Sequence, residues 1–389
     1  MPAGDLHFEF ATAGRILFGC GCVRQAPALA QSWGRHALVV TGAHPDRAQS
    51  LCASLQARSI SVTCFSVAGE PTVDHVRQGT AVARQAGAEM VIGFGGGSAL
   101  DAAKAIAAML TNEGDLFDYL EVVGRGQPLT VAPAPFMAIP TTAGTGTEVT
   151  RNAVLAAPEH HVKVSLRSPL MLAHAALVDP ELSRYLPPPL TAATGMDALT
   201  QLIEPFVSCR ANPMVDALCL EGLQRAARSL RRAFECGNDL QAREDMALAS
   251  LFSGLALANA GLGAVHGFAA PLGGSYKAPH GAVCAALLPH VMRVNLQAAD
   301  ARAPQSNVRA RYEIIARILT QNPAAQAEDG IEWVTALCRD LAIPPLRHYG
   351  IEQRHFEMLS EKAAQASSMK ANPLPLTHEE RIAILQAAW

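Results

Sequence analysis

Charge is scarce in this 389-residue chain. Only 17% of its residues are Asp, Glu, Lys or Arg, against 50% hydrophobic, a balance that fits a folded globular chain and excludes a disordered or fibrous one. With 31 basic and 34 acidic residues the net charge is −3, so there is no basic field for nucleic acid. The longest basic tract, Arg228-Ser-Leu-Arg-Arg232, reads as a solvated helix face. The nine cysteines are odd in number and scattered, and none forms a Cys-x-x-Cys. Cys20 and Cys22 flank a single glycine, too tight for a metal knuckle, so free thiols in a reducing, cytoplasmic setting are expected. The first residues lack a positive segment followed by an apolar one, and no signal peptide is expected. Charge vanishes altogether between Asp245 and Lys277. That run is long enough to raise a membrane span, but Ser253, Asn259, His266 and six glycines between Gly254 and Gly274 interrupt it, which favours a buried core helix pair and no membrane.

At this length two domains are expected. Up to about residue 180 short apolar runs alternate with helical stretches. His36–Thr41, Ile60–Val67, Met90–Gly95, Phe136–Pro140 and Ala175–Val178 read as strands. Asp46–Arg58, Val73–Ala86 and Ser98–Leu110 read as helices. This alternation predicts a mainly parallel sheet covered on both faces, with ligands at the carboxyl ends of its strands. Near Leu186-Pro-Pro-Pro189 the character changes, and apolar residues then recur at three- and four-residue spacing, as in Met214–Leu230 and Trp333–Leu341. The expected division is an α/β domain over 1–187 and an all-helical domain over 188–389, with a helix starting just beyond the prolines. Asn322–Gly330 reads as a surface loop.

Met90-Val-Ile-Gly-Phe-Gly-Gly-Gly-Ser-Ala-Leu-Asp-Ala-Ala-Lys104 is a strand, a glycine turn and a helix start. Glycines let the backbone approach a pyrophosphate, and a helix amino terminus offers free N–H groups and a favourable dipole. Ser98 suits the N-cap and Asp101 its capping partner. The spacing is not Gly-x-Gly-x-x-Gly, since Ser98 stands where the last glycine would fall, and on the glycines alone a ligand-free tight turn stays open. A second loop, Pro140–Thr150, holds five threonines and two glycines after another strand. Two such loops on one sheet favour a dinucleotide more than either does alone.

In the nearly uncharged stretch Gly263–His280, His266 and His280 stand fourteen residues apart. Upstream, the apolar segment Thr191–Glu204 carries Asp197 and Gln201 at i, i+4, on one helix face. A carboxylate with His266 and His280 would give three ligands and an open position, the pattern of a catalytic Zn2+ or Fe2+ site. Spacing alone leaves a second reading open, core histidines satisfied by hydrogen bonds. His280 follows Pro279 and is expected at a helix start. The remaining histidines, including His160, His161 and His290, read as structural or surface residues.

Together these segments resemble the iron-containing (group III) alcohol dehydrogenase family over essentially the whole chain. The resemblance rests on Phe18-Gly19 with Gly21, Gly95–Ser98 with Asp101 and Lys104, and Pro140–Thr150. It continues through Leu177–Leu182, Ala193–Thr200, Pro279-His-Gly281 with Leu287–Asn295, Asn372-Pro373 and the closing Ala388-Trp389. It implies a Rossmann-like α/β nucleotide-binding domain and a helical metal-bearing domain in a dehydroquinate synthase-like architecture, with a cleft between them. It implies NAD or NADP with Fe2+ or Zn2+, a small alcohol or carbonyl substrate, and a homodimer or higher homo-oligomer. By position, Gly42, Gly96, Gly97, Ser98, Thr141, Thr142 and Thr145 would hold the cofactor, with Val154 and Lys163 nearby. Asp197, Gln201, His266 and His280 fall at the four metal positions, with His266, His280 and Gln201 at the catalytic centre.

Three departures from the family pattern matter. Gln201 replaces a histidine of the usual one-aspartate, three-histidine site, which weakens Fe2+ binding and makes Zn2+ competitive. Ala270 stands where many members carry a further histidine. Glu70 replaces an asparagine of the cleft, and Gly42 replaces an aspartate that would contact the ribose; without a carboxylate at position 42 a 2′-phosphate meets less repulsion, and NADP(H) is admitted. The expected activity is hydride transfer between the nicotinamide and a small alcohol, aldehyde or ketone, with metal assistance. The alternatives are a metal-independent reductase resembling maleylacetate reductases, a dehydroquinate synthase-like lyase, and a non-catalytic nucleotide-binding protein.

Overall fold

In the computed structural model, which describes residues 7–160, 162–276 and 278–389, an α/β region is followed by an all-helical one. The amino-terminal Met1–Leu6, His161 and Lys277 fall outside the described residues, and so do the expectations that rest on them.

Six strands form one parallel sheet: β1 (Ile16–Phe18), β2 (His36–Thr41), β3 (Ser61–Ser66), β4 (Met90–Gly95), β5 (Phe136–Pro140) and β8 (Ala175–Val178), in the order β1-β8-β5-β4-β2-β3. A hairpin, β6 (Asn152–Ala157) with β7 (Val162–Arg167), stands outside it. The alternation of side chains along a strand decides which helices cover which face. Ala37, Val39, Ile92 and Ile139 pack under α1 (Ala26–Ala30) and α2 (Gln49–Gln56). Leu38, Val40, Val91 and Ala138 pack under α3 (Val73–Ala86) and α4 (Gly97–Thr111), beside which the short α5 (Leu116–Tyr119) lies. With both faces covered, the strands are apolar throughout. The strand order reverses between β2 and β4, which opens a crevice at their carboxyl ends.

The remaining helices are α6 (Pro188–Val207), α7 (Pro213–Glu235), α8 (Leu240–Ala260), α9 (Ala264–Ser275), α10 (His280–Arg302), α11 (Val308–Thr320), α12 (Ala327–Asp340), α13 (Phe356–Gln365) and α14 (His378–Ala388), which share one core. Among the described residues no single helix is long and apolar enough to cross a membrane. The uncharged run forms α8 and α9, bent by 99° and mostly buried.

Several local expectations need correction. α4 begins at Gly97 with Gly96 as its N-cap, so Ser98 is not the cap, and Asp101 is drawn away to the Pro140–Thr150 loop and β6. The stretch Asp46–Arg58 is split, a 3-10 turn over Pro45–Ala48 preceding α2. α6 begins inside the triple proline, at Pro188, because proline lacks only an N–H that the first turn leaves unpaired anyway. The loop expected over Asn322–Gly330 ends early, since Gln326 and Asp329 close a capping box that starts α12 at Ala327. Arg228, Arg231 and Arg232 are not merely solvated: each is ion-paired, to Asp245, Asp340 and Asp239 respectively. All nine cysteines are free.

Candidate metal centre and cofactor cleft

α6, α9 and α10 converge where the apolar segment Thr191–Glu204 meets the stretch Gly263–His280. Asp197 projects from the middle of α6, His266 from the first turn of α9, and His280 opens α10 with Pro279 as its N-cap. The close approach of α10 to α6 depends on Gly281: a Cβ there would lie 2.1 Å from the Ala193 carbonyl oxygen. His266 Nε2 is 3.3 Å and His280 Nε2 3.7 Å from Asp197 Oδ1. A fourth residue, which the sequence did not single out, completes the cluster. Cys284, one turn after His280, places its Sγ 3.8 Å from His266 Nε2 and 3.7 Å from His280 Nε2. All four donor atoms lie within 4.8 Å of one another.

The electrostatics suit a cation. Asp197 Oδ1 is buried and has no hydrogen-bond partner, an arrangement that costs the full desolvation of a charged acceptor unless something positive faces it. Burial alone would raise the Asp197 pKa, but His280 and His266, with a hydrogen bond from Gln201, bring it below the usual carboxylate range. Burial opposes protonation of His266, yet Cys284, Glu204 and Asp197 lift its pKa well above that of an ordinary imidazole. Cys284 itself is pulled down, burial being outweighed by His280 and His266. Asp197 and His266 are only 3% and 7% exposed, whereas His280 is 37% exposed, so the cluster is reached from the His280 side.

Glu204 is the second residue that the sequence alone did not mark out. Its Oε2 takes the His266 Nδ1 hydrogen at 2.6 Å, and its Oε1 accepts from the Val265 N–H at 2.7 Å. The first contact keeps a hydrogen on Nδ1 and leaves Nε2 as the ring atom that faces Asp197 and Cys284, free to bind a cation once its own proton is displaced. The second, with Asn372 Oδ1 accepting from the Ala264 N–H at 3.1 Å, caps α9, whose own N-cap is a glycine. Asp197, Gln201 and Glu204 recur along one face of α6, and Cys284 follows His280 by four. Those spacings were the available signals.

Gln201 sits beside the cluster. Its Oε1 is 3.3 Å from Ser253 Oγ, which in turn is 3.5 Å from the Gly144 carbonyl oxygen, so the cluster connects directly to the Pro140–Thr150 loop. Ala270 lies in the second half of α9.

The cofactor candidates converge at the carboxyl ends of β2, β4 and β5. β4 and β5 pair with Gly95 opposite Pro140, and the Thr141 N–H donates to the Gly95 carbonyl at 2.8 Å. Gly96 lies against Thr142 and Gly97 against Thr145, while Gly95 abuts the Gly42 backbone across the sheet reversal. Gly96, Gly97 and Ser98 therefore present the amino terminus of α4 to the loop bearing Thr141, Thr142 and Thr145. Val154, in β6, donates its N–H to Asp101 Oδ2 at 3.1 Å. Lys163, in β7, is paired with Glu70 at 2.5 Å and reaches Gly273 of α9, so it spans the two regions. Lys104, buried in α4, donates to the Thr147, Thr150 and Asn152 carbonyls at 2.7 to 2.9 Å and locks the threonine loop to the helix.

Comparison with known proteins bears on both sites. The model of the iron-containing alcohol dehydrogenase family matches residues 13–180, and that of the C-terminal part of the Fe-containing alcohol dehydrogenase family matches 191–389. The chain is 39% identical over 342 residues to a 1,3-propanediol dehydrogenase of Klebsiella pneumoniae, covering 86% of this chain and 85% of that one. A crystal structure of a 1,3-propanediol oxidoreductase superposes with a TM-score of 0.91 at 36% identity, over 99% of this chain and all of the other. A sulfoacetaldehyde reductase of Bifidobacterium kashiwanohense in complex with NAD+ superposes with a TM-score of 0.87 at 26% identity, over 98% of this chain and 99% of that one.

Proposed function

We propose, from the premise that this chain belongs to the iron-containing alcohol dehydrogenase family, a division of labour between its two clusters. The protein is an NAD(P)-dependent oxidoreductase acting on CH–OH groups: hydride passes between the nicotinamide and a small alcohol or its carbonyl counterpart. Gly42, Gly96, Gly97, Ser98, Thr141, Thr142 and Thr145 hold the dinucleotide, with its pyrophosphate at the amino terminus of α4 and Val154 and Lys163 along its flank. Asp197, His266 and His280 hold a divalent cation. The observation that carries this is the buried, unpartnered Asp197 Oδ1 facing two imidazole nitrogens. When bound, the cation supplies a Lewis acid that polarises the substrate oxygen.

The chain's own residues do the rest. Glu204 holds the His266 ring with its Nε2 inward. Gln201 steadies the Asp197 carboxylate and, through Ser253, keeps the cluster in register with the threonine loop. His280, the exposed edge of the cluster, faces the side from which substrate arrives. In the oxidising direction the carbinol C–H hydride leaves for the nicotinamide and the hydroxyl proton leaves to solvent by that side. Reduction runs the same exchange backwards.

Titrating the purified protein with NADH and NADPH, with metal analysis alongside, tests this reading. Micromolar to submillimolar cofactor binding and about one divalent ion per chain are expected; no dinucleotide binding at millimolar cofactor overturns it. Fe2+ or Zn2+ as the resident ion, a homodimer or higher homo-oligomer, a cytoplasmic location and a domain boundary at 187/188 belong to the same proposal. Light scattering checks the assembly.

A further inference from the structure

We infer that Cys284 is the fourth protein ligand of the cation site, filling through α10 the place that Gln201 leaves open on α6. The site would then be one carboxylate, two imidazoles and a thiolate. The inference rests on the reading that the cluster holds a divalent cation, and it names a ligand which that reading does not.

The geometry is that of a preformed coordination shell. Bond lengths of about 2.0 Å to nitrogen and oxygen and about 2.3 Å to sulfur place the ligand atoms of a tetrahedral site with one sulfur roughly 3.3 to 3.5 Å apart. Four of the six edges are 3.3 Å from His266 to Asp197, 3.7 Å from His280 to Asp197, 3.8 Å from Cys284 to His266 and 3.7 Å from Cys284 to His280, and the other two are within 4.8 Å, so a small inward movement of the side chains closes the shell on an ion. Two ordinary facts could explain a buried thiol near a histidine: apolar packing, or a weak S–H···N hydrogen bond. Neither accounts for the arrangement. A packing thiol faces carbon, whereas Cys284 Sγ is in reach of two imidazole nitrogens at once and has a single hydrogen to give. Neither reading gives Asp197 Oδ1 a hydrogen bond, although the same two imidazoles lie 3.3 and 3.7 Å from it.

Helix placement explains why the thiol can substitute. His280 and Cys284 sit at i, i+4 on α10, so both side chains lean onto one face, the face that Gly281 brings against α6. Gln201 is the competing ligand. Its amide oxygen already accepts from the Ser253 hydroxyl at 3.3 Å, a bond it would have to give up to bind a cation. A thiolate also changes which ion is preferred. Sulfur is a soft donor, so this set favours Zn2+ over Fe2+ more than imidazole and carboxylate alone would. The thiol proton is released to solvent as the sulfur binds.

The test is anaerobic titration of the chelated, metal-free full-length protein with Co2+, followed by ultraviolet and visible absorption. The wild-type protein is expected to bind one Co2+ with an intense thiolate-to-cobalt charge-transfer band. Cys284→Ser should lose that band and bind Co2+ about 100-fold more weakly. Gln201→Leu, which removes a support of the cluster but no ligand, should bind Co2+ more weakly yet keep the band at saturation. Stoichiometric binding by the wild type without the band overturns the inference while leaving the metal reading intact, and it does so even if Cys284→Ser fails to fold. The inference is equally overturned if Gln201→Leu loses the ion and Cys284→Ser keeps it. If the wild-type protein binds neither Co2+, Zn2+ nor Fe2+, the metal reading fails and takes the inference with it. Dinucleotide titration then reports separately on the oxidoreductase.

Discussion

Glu204 commits both carboxylate oxygens to α9, one to a backbone N–H and one to the His266 ring. An acceptor at Nδ1 does two things: it fixes which nitrogen carries the hydrogen, and it makes the other nitrogen a stronger donor. Glu204→Gln keeps the size of the side chain but replaces the charged acceptor, so affinity for the divalent cation should fall about 10- to 100-fold in a chelator competition assay. An unchanged affinity would mean that His266 is oriented by packing alone. Position 42 invites the complementary experiment at the cofactor. A Cβ on Gly42 meets nothing within 4 Å, so the site has room for a side chain or for a ligand's phosphate. Gly42→Asp puts a carboxylate there; kcat/KM with NADPH should drop about tenfold or more, the equivalent of roughly 1.4 kcal/mol, with NADH little affected. Equal losses with both cofactors would place the 2′ position elsewhere. The legibility of single residues follows the same logic. Asp197, His266 and His280 stood out because polar groups in apolar stretches demand an explanation. Glu204 and Cys284 did not, since a glutamate at a helix end and a scattered thiol have ordinary explanations until packing shows which face they occupy.

At the scale of elements, the centre is assembled by glycines at helix crossings. Gly281 allows the first turn of α10 to lie against the α6 backbone, and Gly146, with a φ of 61°, meets Gly254 of α8 backbone to backbone. In Gly281→Ala the new methyl would sit 2.1 Å from the Ala193 carbonyl oxygen, a backbone atom that cannot rotate aside, so α10 must move. The expected cost is about 1–3 kcal/mol of stability. Cation affinity should fall as well, because His280 and Cys284 ride on the displaced turn. A variant that loses stability but keeps full affinity would show that α10 is not what sets the spacing. Long, strongly periodic elements were readable: β2, α3, β4, β5 and β8 occupy the residues expected of them. β1 is three residues long and the β6–β7 hairpin is half exposed, so neither carries the apolar run that marks a buried strand. The N-cap of α4 was misread because Asp101 satisfies the Thr147 hydroxyl and the Val154 N–H, a tertiary demand invisible at short range.

The whole molecule is two structural regions joined along a seam of buried polar groups. The parallel sheet and the helical half could be read from period and alternation. The strand order could not, because sequence order does not record which strands pair. It is that order which sets the Gly42, Gly96 and Thr141 loops side by side and faces them towards α6 and α8. The seam contains the buried Lys104 of α4, the half-buried Asp101 beside it and the buried Glu148 of the threonine loop, the last lining a small cavity with Ala247 and Ser250 of α8. Burial pushes Glu148 up from 4.5 to about 7, only partly opposed by a backbone hydrogen bond and Lys104, and it pushes Lys104 down to about 8 despite Asp101 and Glu148. For Glu148 the folded protein holds its proton more tightly than the unfolded chain. Its contribution to stability is therefore complete below about pH 4.5 and is lost as pH rises through about 7. Lys104 acts in the other window: the unfolded chain binds the proton more tightly, so stability recovers as pH rises from about 8 towards 10.5. This pair alone makes the fold least stable between about pH 7 and about pH 8. Glu148→Gln removes the charge that must otherwise form in the seam. Near pH 5 denaturant unfolding should find variant and wild type nearly equal; at pH 8 the variant should be more stable, by at most about 3 kcal/mol. A gap that stays constant between the two pH values would mean that Glu148 enters the fold already ionised, with Lys104 carrying its charge in the seam.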